Sequence, residues 1–279
     1  MTGDTDKKEN SGWDFFDRIY CISVEEREDR RQAAAASFSK VGLSGKVEFV
    51  IVKRHPCDVE QGMYESHMTC LRRGLEAGAE RIVVFEDDVV FDRFDAGRFK
   101  QCTQFLAEHP DWKVLLFGAL IRSSRRTIHP FIQKVGYQSL GHAYAINRPY
   151  AETVAYQPWQ GVIIDTLFRP LADHLYAVYP MFAFQNDFAS DNDKYPGLER
   201  FRRLCGGLER IQKANEFYQR HKVEEAIRCL SHVISDPGNR FPPETFSSVI
   251  YPVDSKQMTF RHRATEQALS DFPKSPFQP

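Results

Sequence analysis

Short apolar runs alternate with longer segments of mixed polarity over the first two thirds of the chain. The runs are rich in β-branched and aromatic residues, which is typical of buried strands. Residues 81–85 are apolar on both strand faces, so we expect a central strand covered by helices on both sides. The predicted strands are residues 19–24, 48–52, 81–85 and 113–118, with a late edge or cross strand at 176–180.

The segments between these strands carry apolar residues at helical spacing, as in Met63, His67, Leu71 and Leu75, which share one helix face. This alternation of strands and helices predicts an α/β fold with a mostly parallel sheet flanked by helices. Ligands of such sheets bind at the carboxyl ends of the strands. The predicted helices include residues 33–38, 61–77 and 98–108, and they stop at Gly42, Gly78 and Pro110.

The chain changes character after about residue 199, where long charged segments replace the alternation. Residues 214–234 carry apolar stripes that end at Asp236-Pro237-Gly238, and this stretch resembles a single tetratricopeptide repeat. One repeat cannot bury its own apolar face, so we expect it to pack on the main domain or on a partner protein. The predicted parts of the chain are a mobile polar tail at 1–13, an α/β domain at 14–198 and a helical, repeat-like extension at 199–279.

The composition of the 279 residues is that of a globular protein, with 42% hydrophobic and 27% charged residues. The formal net charge of −1 excludes the strong positive field on which nucleic-acid binding depends. The six cysteines include no C-x-x-C pair, which favours reduced thiols. The polar N-terminus does not resemble a secretory signal, and no apolar run is long enough for a transmembrane segment. We therefore expect a cytoplasmic protein, with peripheral attachment to a membrane left open.

Three acidic residues, Glu86, Asp87 and Asp88, directly follow the predicted strand at 81–85. Adjacent carboxylates at the end of a buried strand are unfavourable unless they face solvent or a cation. Mg²⁺ and Mn²⁺ bind carboxylate oxygens, usually one or two from the protein together with water and substrate phosphates. The triplet thus indicates either a solvated turn or a divalent-cation site at the ligand edge of the sheet.

Several blocks between about residues 17 and 190 resemble, in the same order, the motifs of one enzyme family. The opening strand IYCISVEEREDRR has Ser23 where that family usually has Asn, and it has Arg30 at the position of a family arginine. The block VEQGMYESH agrees with the family at Glu60, Gly62, Ser66 and His67 and departs from it at Val59 and Met63, which replace Gly and Cys.

The remaining blocks include VVFEDDVVF, which matches the acidic motif of that family without departure. The others are GHAYAINRPYA, the pair Ile164-Asp165, and YAVYPMFAFQ, which ends at Gln185. Together these blocks resemble glycosyltransferase family 25, which is related to lipooligosaccharide β-galactosyltransferases and collagen galactosyltransferases. The resemblance implies a GT-A type fold, a UDP-sugar donor, dependence on Mn²⁺ (or Mg²⁺), and inversion at the anomeric carbon.

The resemblance also suggests roles for the acidic residues. We expect Glu86 and Asp88 to hold the metal and the donor diphosphate, and Asp87 to lie near the ribose or the transferred sugar. An inverting transfer needs a base for the acceptor hydroxyl, and Asp165 is our candidate for that base. Its structural alternative is a helix N-cap ahead of Thr166. Asp187 and Asp191 are rivals for the role of base.

Ser23, Arg30 and His67 complete the predicted donor site. A guanidinium such as that of Arg30 suits phosphate oxygens. His67 lies on an apolar helix face, so a buried core histidine is its structural alternative. His142 and Gln185 are further candidates for the border of the donor pocket. Arg27 and Arg31 are expected to be surface charges.

The leading hypothesis is a metal-dependent glycosyltransferase that moves a hexose from a UDP-sugar to a glycan, glycolipid or glycoprotein acceptor. Galactose is the favoured hexose. The basic run at 122–126 then favours either a solvated loop or an acceptor-side loop that attracts an anionic glycan or lipid head group. One alternative is a catalytically inactive interaction protein that binds a partner through its helical C-terminus. A third is a metal-dependent hydrolase that uses the same acids on water.

Overall fold

The computed structural model describes residues 11–171 and 173–186. These residues form a short 3₁₀ helix at Trp13–Phe15, ten strands and five α-helices. The strands are β1 (Arg18–Val24), β2 (Glu48–Val52), β3 (Arg81–Glu86), β4 (Val89–Phe91), β5 (Val114–Leu116), β6 (Leu120–Arg126), β7 (Ile132–Ser139), β8 (Ala143–Asn147), β9 (Leu175–Val178) and β10 (Ala183–Gln185). The helices are α1 (Glu28–Lys40), α2 (Val59–Glu76), α3 (Ala96–Glu108), α4 (Arg148–Val154) and α5 (Asp165–Phe168).

Eight strands form one sheet in the order β2-β1-β3-β8-β5-β9-β7-β6. Within this sheet β1, β2, β3, β5, β6 and β9 run in one direction, whereas β7 and β8 run in the opposite direction. The predicted α/β class with a mostly parallel sheet is therefore confirmed. β4 and β10 form a separate antiparallel pair that the sequence pattern did not predict.

The three predicted helices are present as α1, α2 and α3. The side chain of Asp58 caps α2 by accepting hydrogen bonds from the backbone N–H groups of Glu60 and Gln61. Gly42 and Gly78 follow α1 and α2 with φ angles of +77° and +72°. Glycine adopts this left-handed conformation without strain, so these residues end the helices as predicted.

Trp13 places the first described residues in an aromatic core. Its indole Nε1 donates a hydrogen bond of 2.9 Å to the carbonyl of Val41. Its ring centroid lies 4.4 Å from that of Phe99 and 5.4 Å from that of Phe117. The described chain is thus already part of the core at Trp13, and residues 1–10 of the predicted tail lie outside the described residues.

Two predictions about strands are wrong. The basic run at 122–126 is not a loop but part of β6, the edge strand of the large sheet, which pairs with β7 in a hairpin. Edge strands commonly carry charged residues, and this explains why β6 lacks an apolar pattern. β9 is neither an edge nor a cross strand, since it lies between β5 and β7 and is parallel to β5.

Several predictions fall outside the described residues. The repeat-like extension at 199–279 is one of them, and the rival bases Asp187 and Asp191 are others. Among the residues that the structure does describe, no helix is both long and apolar enough to cross a membrane.

Candidate functional site

The acidic triplet lies where β3 ends, beside the end of β1. In this parallel pair Ile22 is aligned with Glu86, so the next residue of β1, Ser23, comes level with Asp87. The carboxyl ends of neighbouring parallel strands are where ligands bind in α/β sheets. The register of the sheet therefore brings two of the predicted motifs together at its ligand edge.

Asp87 is held by Ser23 and Arg30. Ser23 is 1% exposed, and its hydroxyl donates a hydrogen bond of 2.6 Å to Oδ2 of Asp87. Nη1 of Arg30 lies 3.3 Å from Oδ1 of the same carboxylate. Burial raises the pKa of Asp87, although the hydrogen bond from Ser23 and the charge of Arg30 oppose this rise. The structure thus brings these three predicted residues together and engages both oxygens of Asp87.

Arg31 is not the surface charge that we predicted. Its Nη1 donates to the hydroxyl of Ser23 at 3.2 Å and to the carbonyl of Val24 at 2.7 Å. Its Nη2 donates to the carbonyl of Glu25 at 2.9 Å and to the carboxylate of Glu28 at 2.8 Å. Arg31 therefore fixes the turn between β1 and α1, and with it the hydroxyl that contacts Asp87.

Glu86 contacts His67, which α2 presents to the end of β3. Nε2 of His67 lies 3.4 Å from Oε1 of Glu86, and Nδ1 lies 3.0 Å from the hydroxyl of Tyr144 on β8. Burial acts to raise the pKa of Glu86, but the contact with His67 and the nearby His142 and Arg30 outweigh it, so the pKa lies below its ordinary value. His67 is a buried histidine, as the structural alternative predicted, and it also contacts the first residue of the acidic triplet.

Asp88 is contacted by Gln185, so the structure brings these two sequence blocks together. β10 pairs with β4 so that Gln185 is opposite Val89, and Nε2 of Gln185 lies 3.4 Å from Oδ2 of Asp88. The other carboxylate oxygen, Oδ1, is buried and has no hydrogen-bond partner among the described residues. Burial, followed by the charge of Glu86, raises the pKa of Asp88 to about 8.

Asp165 is the first residue of α5, and its side chain does not cap the helix, because the N-cap position belongs to Ile164. The N-cap alternative for Asp165 is therefore wrong. The carboxylate is buried, and its Oδ1 accepts a hydrogen bond of 2.5 Å from the hydroxyl of Tyr137 on β7. Burial raises the pKa of Asp165, against the effect of this hydrogen bond, and the charge of Glu86 adds to the rise. This electrostatic coupling places Asp165 and Glu86 in one charged neighbourhood.

His142 is buried beside β10, and its side chain makes no direct contact with the carboxylates among the described residues. Its Nε2 lies 3.4 Å from the carbonyl of Ala183, and its Nδ1 lies 3.3 Å from the carbonyl of Leu140. Its own carbonyl accepts a hydrogen bond of 2.9 Å from the N–H of Glu86. Burial lowers the pKa of His142. These contacts indicate that His142 supports the end of β3 through the backbone.

The carboxylates at the end of β3 fit a divalent cation that is also bound by substrate. No group of three or more His, Cys, Asp or Glu side chains within residues 11–171 and 173–186 is arranged to hold a metal ion alone. Mg²⁺ and Mn²⁺ at phosphate-binding sites do not need such a group, since one or two carboxylates suffice when phosphates and water complete the shell. The buried, unpartnered Oδ1 of Asp88 and the adjacent Glu86 provide that donor set.

Two contacts in this neighbourhood involve residues that the sequence analysis did not propose, Tyr137 and Tyr144. Both lie on strands, and their hydroxyls contact Asp165 and His67. Tyr144 belongs to the block GHAYAINRPYA, so a signal was present for it, but a strand pattern does not indicate which hydroxyl meets which buried side chain. Tyr137 lies in the hairpin that the pattern missed.

The fold and the site together define an α/β protein with a carboxylate-rich ligand edge, and comparisons with known proteins narrow this class. No protein-family model matches the chain. The chain is 25% identical to human "Inactive glycosyltransferase 25 family member 3", over 56% of the chain and 31% of that protein. It is 26% identical to bovine "Probable inactive glycosyltransferase 25 family member 3", over 50% of the chain and 27% of that protein. These relatives confirm the predicted resemblance to glycosyltransferase family 25.

The chain spans less than a third of the length of these two relatives, since the matches cover 31% and 27% of them. Among solved structures, the chain is similar to protein A197 from STIV, with 16% sequence identity and a TM-score of 0.39. That match covers 64% of this chain and 99% of A197.

Proposed function

We propose that the chain is a metal-dependent glycosyltransferase that transfers a hexose from a UDP-sugar to a hydroxyl of a glycan, glycolipid or glycoprotein. Galactose is the proposed hexose, because the motifs resemble those of galactosyltransferases. The observation that carries the proposal is the buried, unpartnered Oδ1 of Asp88 beside Glu86. A buried carboxylate oxygen without a partner is unfavourable in the fold, and a bound cation would remove that penalty.

In the proposed reaction the acceptor hydroxyl oxygen bonds to the anomeric carbon as the bond from that carbon to the diphosphate breaks. The leaving UDP keeps the bonding electrons, and Asp165 takes the hydroxyl proton. Tyr137 engages Oδ1 of Asp165, which leaves Oδ2 as the oxygen that receives the proton. Because burial raises the pKa of Asp165, its carboxylate is a stronger base than an exposed aspartate.

The other residues bind and orient the donor. Glu86 and Asp88 would hold Mn²⁺ or Mg²⁺, which when bound offsets the negative charge of the departing diphosphate. Ser23, Arg30 and Asp87 form a buried hydrogen-bonded group next to these two carboxylates. We assign this group to the ribose or phosphate side of the nucleotide, because a guanidinium and a hydroxyl both suit such ligands.

A second candidate function is a catalytically inactive domain that acts through protein binding. It is favoured by the names of the human and bovine relatives, both of which contain the word "inactive". The departures from the family motifs at Ser23, Val59 and Met63 agree with it. Such a domain needs neither a cation nor UDP, so donor binding separates the two candidates.

Asp165→Asn tests the transfer chemistry directly. With Mn²⁺, UDP-galactose and a panel of sugar acceptors, we expect this variant to lose about 10²- to 10⁴-fold in UDP release. Its affinity for UDP with Mn²⁺ should stay near that of the wild type, because the base does not bind the diphosphate. The matched control is Asp173→Asn, which removes an exposed carboxylate paired with Arg125 and should not change turnover.

Three outcomes would contradict the proposal. Unchanged turnover in Asp165→Asn would show that another group is the base. Release of free sugar at the same rate with and without every acceptor would indicate a hydrolase. A wild-type protein that turns over no UDP-sugar and binds no UDP would favour the inactive interaction protein.

A further inference from the structure

The two ring nitrogens of His67 contact two different side chains. Nε2 lies 3.4 Å from Oε1 of Glu86, and Nδ1 lies 3.0 Å from the hydroxyl of Tyr144. His67 is 1% exposed and Tyr144 is fully buried, so the contact between them lies in the interior, whereas the side chain of Glu86 is partly exposed. The two rings are stacked with their centroids 5.7 Å apart, which keeps the imidazole in this orientation. His67 thus links a buried tyrosine hydroxyl to the first carboxylate of the acidic triplet.

The chemistry of these groups decides where the imidazole proton lies. An ionised carboxylate only accepts hydrogen bonds, so the nitrogen that faces Glu86 is the one that carries hydrogen. In a neutral imidazole Nδ1 is then an acceptor, and the hydroxyl of Tyr144 is its donor. Burial raises the pKa of Tyr144, so this hydroxyl keeps its proton. The two contacts are therefore mutually consistent with the Nε2–H tautomer of His67.

We propose that Tyr144 is a positioning residue for metal binding, because its hydroxyl fixes the Nε2–H tautomer of His67, and His67 in turn fixes the orientation of Glu86. The inference rests on the proposed function, which assigns Glu86 to the cation. Groups that orient a metal ligand without touching the metal commonly change metal affinity by about 10- to 100-fold. The ring of Tyr144 is itself held by Phe168 of α5, at a centroid distance of 4.9 Å.

The tautomer is measured on the metal-free protein by nitrogen NMR of the full chain labelled with ¹⁵N-histidine. The signals of His67 are assigned by their absence in His67→Gln. We expect a protonated Nε2 and an unprotonated Nδ1 in the wild type, and a mixture of forms in Tyr144→Phe. A proton on Nδ1, or on both nitrogens, in the wild type would overturn the inference. This measurement needs neither metal nor donor, so its result does not depend on the proposed function.

The effect on the metal is measured by titrating Mn²⁺ into the full chain. Tyr144→Phe keeps the buried ring and removes one hydroxyl, and we expect it to raise the Kd for Mn²⁺ by about tenfold or more. The matched control is Tyr64→Phe, because Tyr64 is also buried and its hydroxyl donates to the backbone carbonyl of Gln157 at 3.3 Å. That control should leave the Kd unchanged.

A double-mutant cycle separates positioning through His67 from a general loosening of the fold. In the His67→Gln background, Tyr144→Phe should produce no further loss of Mn²⁺ affinity, because the residue through which it acts is gone. Equal Mn²⁺ affinity in Tyr144→Phe and the wild type would overturn the inference, as would fully additive losses. A wild type that binds no Mn²⁺ overturns the proposed function, and with it the metal role of Tyr144, whatever the tautomer of His67.

Discussion

Ionised Asp88 destabilises the metal-free fold, although it is a proposed ligand of the cation. Its carboxylate lies beside Glu86 and Asp87, and burial raises its pKa from 3.8 to about 8. Because the folded-state pKa of this acid lies above its unfolded value, ionised Asp88 destabilises the fold, and this cost grows as the pH rises from about 4 to 8. Below pH 4 the residue is protonated in both states and the cost disappears.

Asp88→Asn should therefore stabilise the metal-free protein by an amount that increases with pH. The gain in the free energy of unfolding is at most about 1.4 kcal/mol per pH unit between pH 5 and 8. Urea unfolding with a chelator at three pH values measures it. Asp173→Asn, the exposed control, should show no such gain. A difference between Asp88→Asn and the wild type that is constant with pH would contradict the raised pKa of Asp88.

The hydroxyl of Ser23 stabilises the fold by donating to Asp87 and accepting from Arg31. Ser23→Ala removes the donor of the 2.6 Å hydrogen bond to Oδ2 and leaves a buried carboxylate oxygen without it. We expect a loss of about 1–3 kcal/mol in the free energy of unfolding at pH 7. Ser44→Ala, which removes an exposed hydroxyl bonded to Ser39, should cost less than about 0.5 kcal/mol. Equal stability of the two variants would contradict the role given to Ser23.

The short β4/β10 pair places Gln185 at the acidic triplet, and it depends on a close approach at Gly118. A Cβ added to Gly118 would lie 1.8 Å from the backbone carbonyl oxygen of Ala183, which begins β10. Gly118→Ala should therefore displace β10, cost about 1–3 kcal/mol or more in stability, and weaken binding of UDP with Mn²⁺.

The control for this variant is Gly45→Ala. A Cβ at Gly45 meets nothing within 4 Å, although its φ of +69° makes the substitution mildly strained. We expect a cost of about 1–2 kcal/mol from the backbone alone and unchanged UDP binding. If Gly118→Ala binds UDP with Mn²⁺ as tightly as Gly45→Ala, β10 does not support the site.

The elements that the sequence predicted are those with a strong local pattern. β2 was predicted at its observed bounds, and α2 was predicted from one apolar face and its terminal glycine. The hairpin of β6 and β7 was missed because an edge strand carries Arg and Ser on positions that a buried strand would fill with apolar residues. β4 and β10 were missed because three residues are too few to show a strand period. β5 is as short, but it was predicted from the longer apolar run at 113–118.

At the scale of the whole molecule, the site is assembled from parts that are far apart in the chain. Ser23 meets Asp87 across 64 positions, and Asp88 meets Gln185 across 97. The sequence indicated these residues through separate motifs, and only the sheet register shows which of them are in contact. It did not indicate Tyr137, and it placed Tyr144 in a motif without showing that its hydroxyl contacts His67, because the direction of a buried hydroxyl depends on packing between elements rather than on local pattern.

Because the matched region covers less than a third of the human and bovine relatives, their names do not decide whether this chain is active. The contacts of its own residues are more informative. The carboxylates of Glu86 and Asp88 interact electrostatically, and the carboxylate of Asp165 accepts a hydrogen bond from Tyr137. Buried carboxylates that bind no cation are unfavourable in the fold, and this supports the proposal that Glu86 and Asp88 hold one.

The proposed metal-dependent binding of UDP is tested by calorimetric titration of UDP into the full chain, with and without Mn²⁺, and by the same titration of Asp88→Asn. We expect UDP binding that depends on Mn²⁺ in the wild type and is lost in Asp88→Asn, while Asp173→Asn binds as the wild type does. UDP binding that is the same with and without Mn²⁺, or no UDP binding under either condition, would contradict the proposal.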